Sequence, residues 1–252
     1  MQTCLEGKVA FVSGGSGAIG RAIALSLAAE GAGVGVAWHA GEDRAAEVVE
    51  TIVRSGGRAR AVHLDQRDGA TARAALDEVR QALGDVSVLV ANAVEWPSPG
   101  VGDIEALTAS LAANTVGTAA LVDVALADMR AGGWGRIVIL SSDIVEQPMA
   151  GSLAYATAKG GLESAARVLA VREAPHGILT NVVRPGLTLT DRALESAFLG
   201  PAVLQREAAQ TPTGRICTPE DVASAVTYLA SSANGHVNGQ VLSVAGGREF
   251  VR

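Results

Sequence analysis

The stretch KVAFVSGGSGAIGRAIALSLAAEG, residues 8–31, decides the fold. Lys8–Ser13 is a short run with β-branched and aromatic residues that ends in glycines, which reads as a strand feeding a tight turn. Ser13–Gly20 (SGGSGAIG) is that turn, and the residues after it are apolar at helical spacing until Gly31 closes them off. Strand, glycine turn and helix in this order build an anion site. The first N–H groups of the helix lack intrahelical partners, its N-terminus is the positive end of the dipole, and small residues let a pyrophosphate approach. Ser13, Gly14, Ser16, Gly17, Ala18, Ile19 and Gly20 are therefore candidates for holding a dinucleotide. A glycine turn alone is often only a tight connection; the strand before it and the helix after it decide for cofactor binding.

Working outward, the same alternation continues to the C-terminus. Strands are expected at Val34–Trp38, Arg60–Leu64, Val86–Ala91, Arg136–Leu140, Ile178–Arg184 and within GQVLSVAGG. Helical patterns lie between them, at EDRAAEVVETIVRSGG, Gly69–Leu83, Leu107–Met129, around Tyr155, and from about Pro219. Alternating strands and helices mean parallel strands joined by right-handed crossovers. The expected architecture is α/β: one Rossmann-type doubly wound sheet of about seven strands with helices on both faces, as a single domain over residues 1–252. No internal repeat or linker interrupts it. The Leu107–Met129 and Tyr155 helices are small and apolar around most of their circumference, so each is expected to be buried on two sides.

Composition narrows the function. Hydrophobic residues make up 48% of the chain and aromatics only 3%, so the core must be built from Ala, Val, Leu and Ile. A net charge of −6 without a basic cluster argues against nucleic acid or an anionic membrane as partner. Cys4 and Cys217 have neither metal-ligand spacing nor a disulfide framework, so no metal is expected. No apolar run approaches the ~18 residues of a membrane span, and MQTCLEGK lacks the plan of a signal peptide. The expectation is a soluble, cytoplasmic protein.

The chemistry is read from Ser141–Lys159, SSDIVEQPMAGSLAYATAK. Tyr155 and Lys159 are four residues apart, which on a helix puts both on one face, one turn apart. A free tyrosine, with a pKa of about 10, is a poor base at neutral pH. A cation beside it favours the phenolate, so Lys159 is expected to lower the Tyr155 pKa. Ser142 follows the apolar run Arg136–Leu140, where a strand end would expose its hydroxyl to the oxygen on which Tyr155 acts.

With the glycine turn, these residues resemble the short-chain dehydrogenase/reductase family, in which the serine stands thirteen positions before the tyrosine, as Ser142 does before Tyr155. The resemblance covers nearly the whole chain. Against the family's TGxxxGxG pattern, Gly14 and Gly20 match, Ser13 replaces the threonine and Ala18 stands at the middle glycine. Against NNAG only Asn92 and Ala93 fit, flanked by Ala91 and Val94, and Ala245 replaces the aspartate of VDGG. In NAD-specific relatives an acidic residue ends the second strand; here Trp38 and His39 stand there, so NADP(H) is preferred and NAD(H) remains possible. The resemblance implies that Asp65 accepts the adenine amino group and that Asn114 bends its helix and holds a water linking Lys159 to a proton relay. It places Pro185, Gly186, Thr188 and Thr190 beside the nicotinamide or pyrophosphate. It makes the long connection at about 187–213 a substrate lid and implies a homo-oligomer, a tetramer.

The activity so implied is an NAD(P)(H)-dependent interconversion of a ketone and a secondary alcohol by hydride transfer. The sequence looks most like the 3-oxoacyl-[acyl-carrier-protein] reductase group, which implies 3-oxoacyl or polyketide-like ketones, carrier-bound ones among them. Tyr155 is the proton donor, Ser142 a hydrogen-bond donor to the same oxygen, and Lys159 also holds the nicotinamide ribose. Two alternatives are an epimerase or dehydratase with retained cofactor and a non-catalytic nucleotide-binding protein.

Overall fold

The computed structural model describes residues 3–96, 102–195 and 200–251. Its strands are β1 (Val9–Val12), β2 (Gly33–Trp38), β3 (Arg58–His63), β4 (Val88–Ala91), β5 (Gly135–Leu140), β6 (Ile178–Pro185) and β7 (Val241–Val244). All pair in parallel, in the order β3-β2-β1-β4-β5-β6-β7. β1 therefore lies between β2 and β4, with Val12 beside Val36 on one side and Val90 on the other. The helices between the strands are α1 (Ala18–Ala29), α2 (Glu42–Arg54), α3 (Gly69–Leu83), α4 (Asp103–Ser110), α5 (Gly117–Gly132), α6 (Leu153–Glu173), α7 (Asp191–Leu194), α8 (Pro201–Gln210) and α9 (Pro219–Ala230).

Helices cover both faces because successive strand side chains point to opposite faces and neither can be left wet. Along β1, Val9 and Phe11 join the core beneath α3, α5 and α6, with Leu76, Val79, Leu126 and Met129. Ala10 and Val12 join the opposite core beneath α1, α2 and α9, with Ile23, Leu27, Val48 and Val226. Phe11 is the largest of the fully buried side chains, so these layers are filled by small aliphatic residues, as the composition required.

The expected elements are found, with three differences. The Leu107–Met129 helix begins earlier, at Asp103, and is not uniform: α4 and α5 are joined by a π-helical segment at Leu111–Val116 that contains Asn114. The continuous helical stretch Asp103–Gly132 is long and apolar enough, by length and composition, to cross a bilayer, which the sequence reading did not count. Half of its 18-residue apolar window is buried within this chain, and α5 sets Leu121, Val122, Leu126 and Met129 into the core, as an internal helix does. The 187–213 connection is not a plain loop either, because it carries α7 and α8. Residues 196–199 of that connection, and 97–101 of the loop after Trp96, lie outside the described residues.

The helix that closes the sheet is capped as its sequence suggests. The Thr218 hydroxyl accepts from the Asp221 N–H, and the Asp221 carboxylate accepts from the Thr218 N–H. Replacing Thr218 by Ala removes one half of this reciprocal cap and is expected to lower the unfolding free energy by about 1 kcal/mol. Urea denaturation reads this as a lower midpoint at constant slope; an unmoved midpoint would show that the Arg215–Asp221 pair holds the helix end alone.

Candidate active site

The glycine turn is held from outside, by the end of β4. Ser13, 1% exposed, accepts at its hydroxyl the N–H groups of Asn92 and Ala93, both at 3.0 Å. The Asn92 amide donates to the carbonyls of Ser13 and Gly14, at 3.0 and 3.2 Å. The Ser13 and Asn92 side chains, expected as cofactor contacts, thus bind each other's backbone and set the shape of the turn. Gly14 has φ +65°, and a Cβ there would stand 2.9 Å from the Ala93 Cα; a Cβ on Gly20 would stand 2.1 Å from the Gly14 carbonyl oxygen. No side chain can occupy either position. Ala18, where the pattern has glycine, opens α1 with the extended Gly17 before it, and Ile19 turns toward the core. No side chain caps α1 and no acidic residue lies in its first turn, so its N-terminal N–H groups are left for an anion. The residues present fit a pyrophosphate.

The second cluster lies where β5 ends and α6 passes over it. Tyr155, Lys159 and Glu163 succeed one another at four-residue steps along one face of α6. Lys159 is 3% exposed, and its ammonium donates to the Leu140 carbonyl at 2.7 Å. An ammonium has three N–H donors, and this is the one hydrogen bond it makes among the described residues. Burial lowers the Lys159 pKa to about 8. A buried cation with donors to spare suits an oxygen-rich ligand such as a ribose diol.

Tyr155 departs from expectation. Its pKa does not fall; burial, the dominant effect, pushes it up to about 12. The Ser142 hydroxyl beside it and the Arg192 cation act downward, and the Asp143 charge upward. The Lys159 ammonium sits 5.8 Å from the ring centroid, committed to Leu140, while Trp96 lies against the ring at 4.6 Å between centroids. The phenol is therefore protonated at neutral pH, the form an acid needs.

Asn114 is 1% exposed in the π segment, but its amide joins Glu95: the carbonyl oxygen accepts from the Glu95 N–H and the nitrogen donates to the Glu95 carbonyl, both at 2.8 Å. Its side chain ties down the residue before Trp96 and makes no bond to Lys159. The Asp65 carboxylate is held by Arg67 at 2.9 and 3.0 Å, which lowers its pKa to about 2, while Asp68 rather than Asp65 caps α3. Trp38 meets His63 edge-on at 4.9 Å, and His39 is exposed nearby. Pro185 ends β6, and Gly186 lies so close to Ala245 that an added Cβ would meet that side chain at 2.9 Å. The Thr188 hydroxyl donates to the Gly186 carbonyl, and Thr190 caps α7.

Two features escaped the sequence reading. Glu163 and Arg184 form a buried bidentate ion pair, at 3.0 and 2.8 Å, joined by the Ser141 hydroxyl at 2.7 Å. The signal was available, because Glu163 is a carboxylate one turn beyond Lys159 on a face that packs on the sheet. Arg192 from α7 lies 4.7 Å over the Trp96 ring, so guanidinium, indole and phenol stack in sequence.

A parallel sheet with a glycine turn at one end and a tyrosine–lysine–serine cluster at the ends of β5 and α6 defines a nucleotide-dependent oxidoreductase architecture. The family profile described as Enoyl-(Acyl carrier protein) reductase matches residues 14–249. The chain is 32% identical to 3-oxoacyl-[acyl-carrier-protein] reductase of Aquifex aeolicus, over 98% of this chain and 99% of that protein. It superposes on 7α-hydroxysteroid dehydrogenase complexed with NADH and 7-oxoglycochenodeoxycholic acid with a TM-score of 0.91 at 32% identity, covering 96% and 94% of the two chains. A short-chain dehydrogenase of Burkholderia cenocepacia J2315 in complex with NADP gives a TM-score of 0.86 at 32% identity, covering 97% and 98%. The chain belongs to the short-chain dehydrogenase/reductase family, enzymes acting on CH–OH and C=O groups.

The ion pair beneath the site generates a stability prediction. Glu163→Gln leaves the Arg184 guanidinium, 7% exposed, with only the more exposed Glu146 as carboxylate partner. Loss of about 3 kcal/mol is expected in urea unfolding. A variant as stable as the parent would show that Glu146 alone satisfies Arg184.

Proposed function

We propose that this protein is an NADP(H)-dependent ketoreductase, reducing a ketone to a secondary alcohol, with 3-oxoacyl or polyketide-like and carrier-bound ketones as its substrate class. The observation that carries the reading is the joint placement of a protonated phenol, a serine hydroxyl and a buried, under-satisfied ammonium at one strand end. Bound NADPH would supply the hydride. Tyr155 gives its proton to the carbonyl oxygen, and Ser142 donates a hydrogen bond to that oxygen. Lys159 holds the ribose through the donors that Leu140 does not take. Asn114 contributes by fixing the backbone at Glu95 and the π turn of its own helix.

The nucleotide is assigned to the α1 N-terminus at Ser13–Gly20. Asp65 and Ala93 are assigned to the adenine side, and Pro185, Gly186, Thr188 and Thr190 to the nicotinamide side. The preference for NADP rests on Trp38 and His39, since no carboxylate ends β2 to repel a 2′-phosphate. The 187–213 segment is assigned as the substrate lid. Ile104, Val116, Val168 and Val171, exposed on α4–α6, support a homo-oligomer, a tetramer, acting in the cytoplasm.

Titration with NADPH and NADH, followed by nicotinamide fluorescence, should give tight binding of NADPH and weak binding of NADH; equal affinities would remove the NADP preference. Tyr155→Phe should abolish ketone reduction while NADPH binding stays nearly unchanged, and undiminished turnover in that variant would sink the mechanism.

A further inference from the structure

The reduction described above uses Ser142 as a hydrogen-bond donor, and the structure shows a competitor for that proton. The Ser142 O–H donates to the Asp143 carboxylate at 3.2 Å, while its oxygen accepts the Ile144 N–H at 3.4 Å. A hydroxyl has one proton, so while a carboxylate holds it the substrate oxygen cannot. Asp143 makes no ion pair among the described residues. Its carboxylate lies 3.6 Å from where a Cβ on Gly186 would stand, and it lines a small cavity of about 70 Å³ with Gln147, Gly186, Glu207, Cys217 and Arg248. None of the glycine-turn residues lines this cavity.

The titratable and charged groups around Asp143 come from four directions. Tyr155 faces it from α6, and Cys217 from the segment before α9. Glu249 faces it from the C-terminal turn, and Glu207 shares the cavity from α8. The one guanidinium lining the cavity, Arg248, is engaged with the Val251 carbonyl, Gln210 and Glu207. Burial is the main reason the Asp143 carboxyl titrates above its ordinary range; Glu249 adds to the rise, and the bonds from Ser142 and Ile144 oppose it.

We propose that Asp143 is a positioning residue that sets the direction of the Ser142 hydroxyl. As a carboxylate it takes the Ser142 proton; as an acid it donates its own proton to the Ser142 oxygen and frees the Ser142 O–H for the carbonyl oxygen beside Tyr155. The inference rests on the ketone-reduction reading. Ser142 keeps its proton throughout and no covalent bond to carbon changes. One proton passes between Asp143 and solvent in the cavity, the Ser142–Asp143 hydrogen bond reverses, and the Ile144 N–H goes on donating to the Ser142 oxygen. Reduction is therefore fast below the Asp143 titration and slows as pH rises through it, because the ionised group withdraws a donor from the reacting oxygen. An Asn at 143 offers an N–H to Ser142 at every pH.

Two measurements test this. The first uses the free protein, which has only two tyrosines, Tyr155 and Tyr228, so Tyr155→Phe isolates the Tyr155 phenolate absorbance in a rapid pH jump. Asp143→Asn removes the neighbouring negative charge and should move that ionisation to lower pH; an unmoved Tyr155 titration overturns the proposal. The second is kcat for NADPH-dependent ketone reduction against pH. The wild type should fall by about a hundredfold through one ionisation, the effect of losing one donor to a developing oxyanion, whereas Asp143→Asn should be flat across the same range. Superimposable profiles overturn the proposal. The two failures are distinguishable: undiminished turnover in Tyr155→Phe defeats the ketone-reduction reading, while the phenolate titration judges Asp143 without cofactor or turnover.

Discussion

A lysine ammonium buried to 3% exposure, with a single carbonyl as its partner among the described residues, is the constraint around which this site is arranged. Such a group is unfavourable unless something satisfies it. Its bond to Leu140 O fixes the height of α6 against the end of β5, which sets where Tyr155 and Ser142 stand relative to each other. The same bond takes up the cation that was expected to act on Tyr155, so burial wins and the phenol stays protonated.

The rest of α6 supports that placement. One turn beyond Lys159, Glu163 receives the guanidinium of Arg184 from β6 and the hydroxyl of Ser141 from the end of β5. A helix and two strand ends are thereby joined by one carboxylate, directly below the residues that act on substrate. Trp96 and Arg192 cover the other side of the ring. Tyr155 is thus enclosed from below by packing and from above by stacked side chains, and its burial is a property of the assembled site rather than of the YxxxK spacing.

How much of this was legible in the sequence follows from how local each signal is. The strand–turn–helix of residues 8–31, the Gly69–Leu83 helix and the capped α9 depend on neighbours in the chain, and they are found where their residues placed them. The family membership followed from motifs and was equally readable. What depends on contacts between distant segments was not. No spacing shows that the Asn114 amide would be occupied by Glu95, or that Arg67 would take the Asp65 carboxylate. The direction of the Tyr155 shift was misread because it is a balance between desolvation and charge, and desolvation depends on Trp96, far away in the chain. The π segment was hidden for a related reason: its residues suit an ordinary helix, and only the structure shows the wider turn around Asn114.

The clamp between Ser13 and Asn92 has a bearing on how the chain folds. These hydrogen bonds span 78 to 80 residues, whereas β1, β2 and β3 pair with their nearest neighbours in sequence. Closing so long a loop is entropically expensive and slow, so the first half of the sheet can assemble while the glycine turn is still unfinished. The turn acquires its final shape only when β4 docks against β1. A ligand that recognises the finished turn then binds the docked state and not its precursor, and by mass action it holds the two halves of the sheet together. Nucleotide occupancy and the integrity of the central strands are in this way one equilibrium.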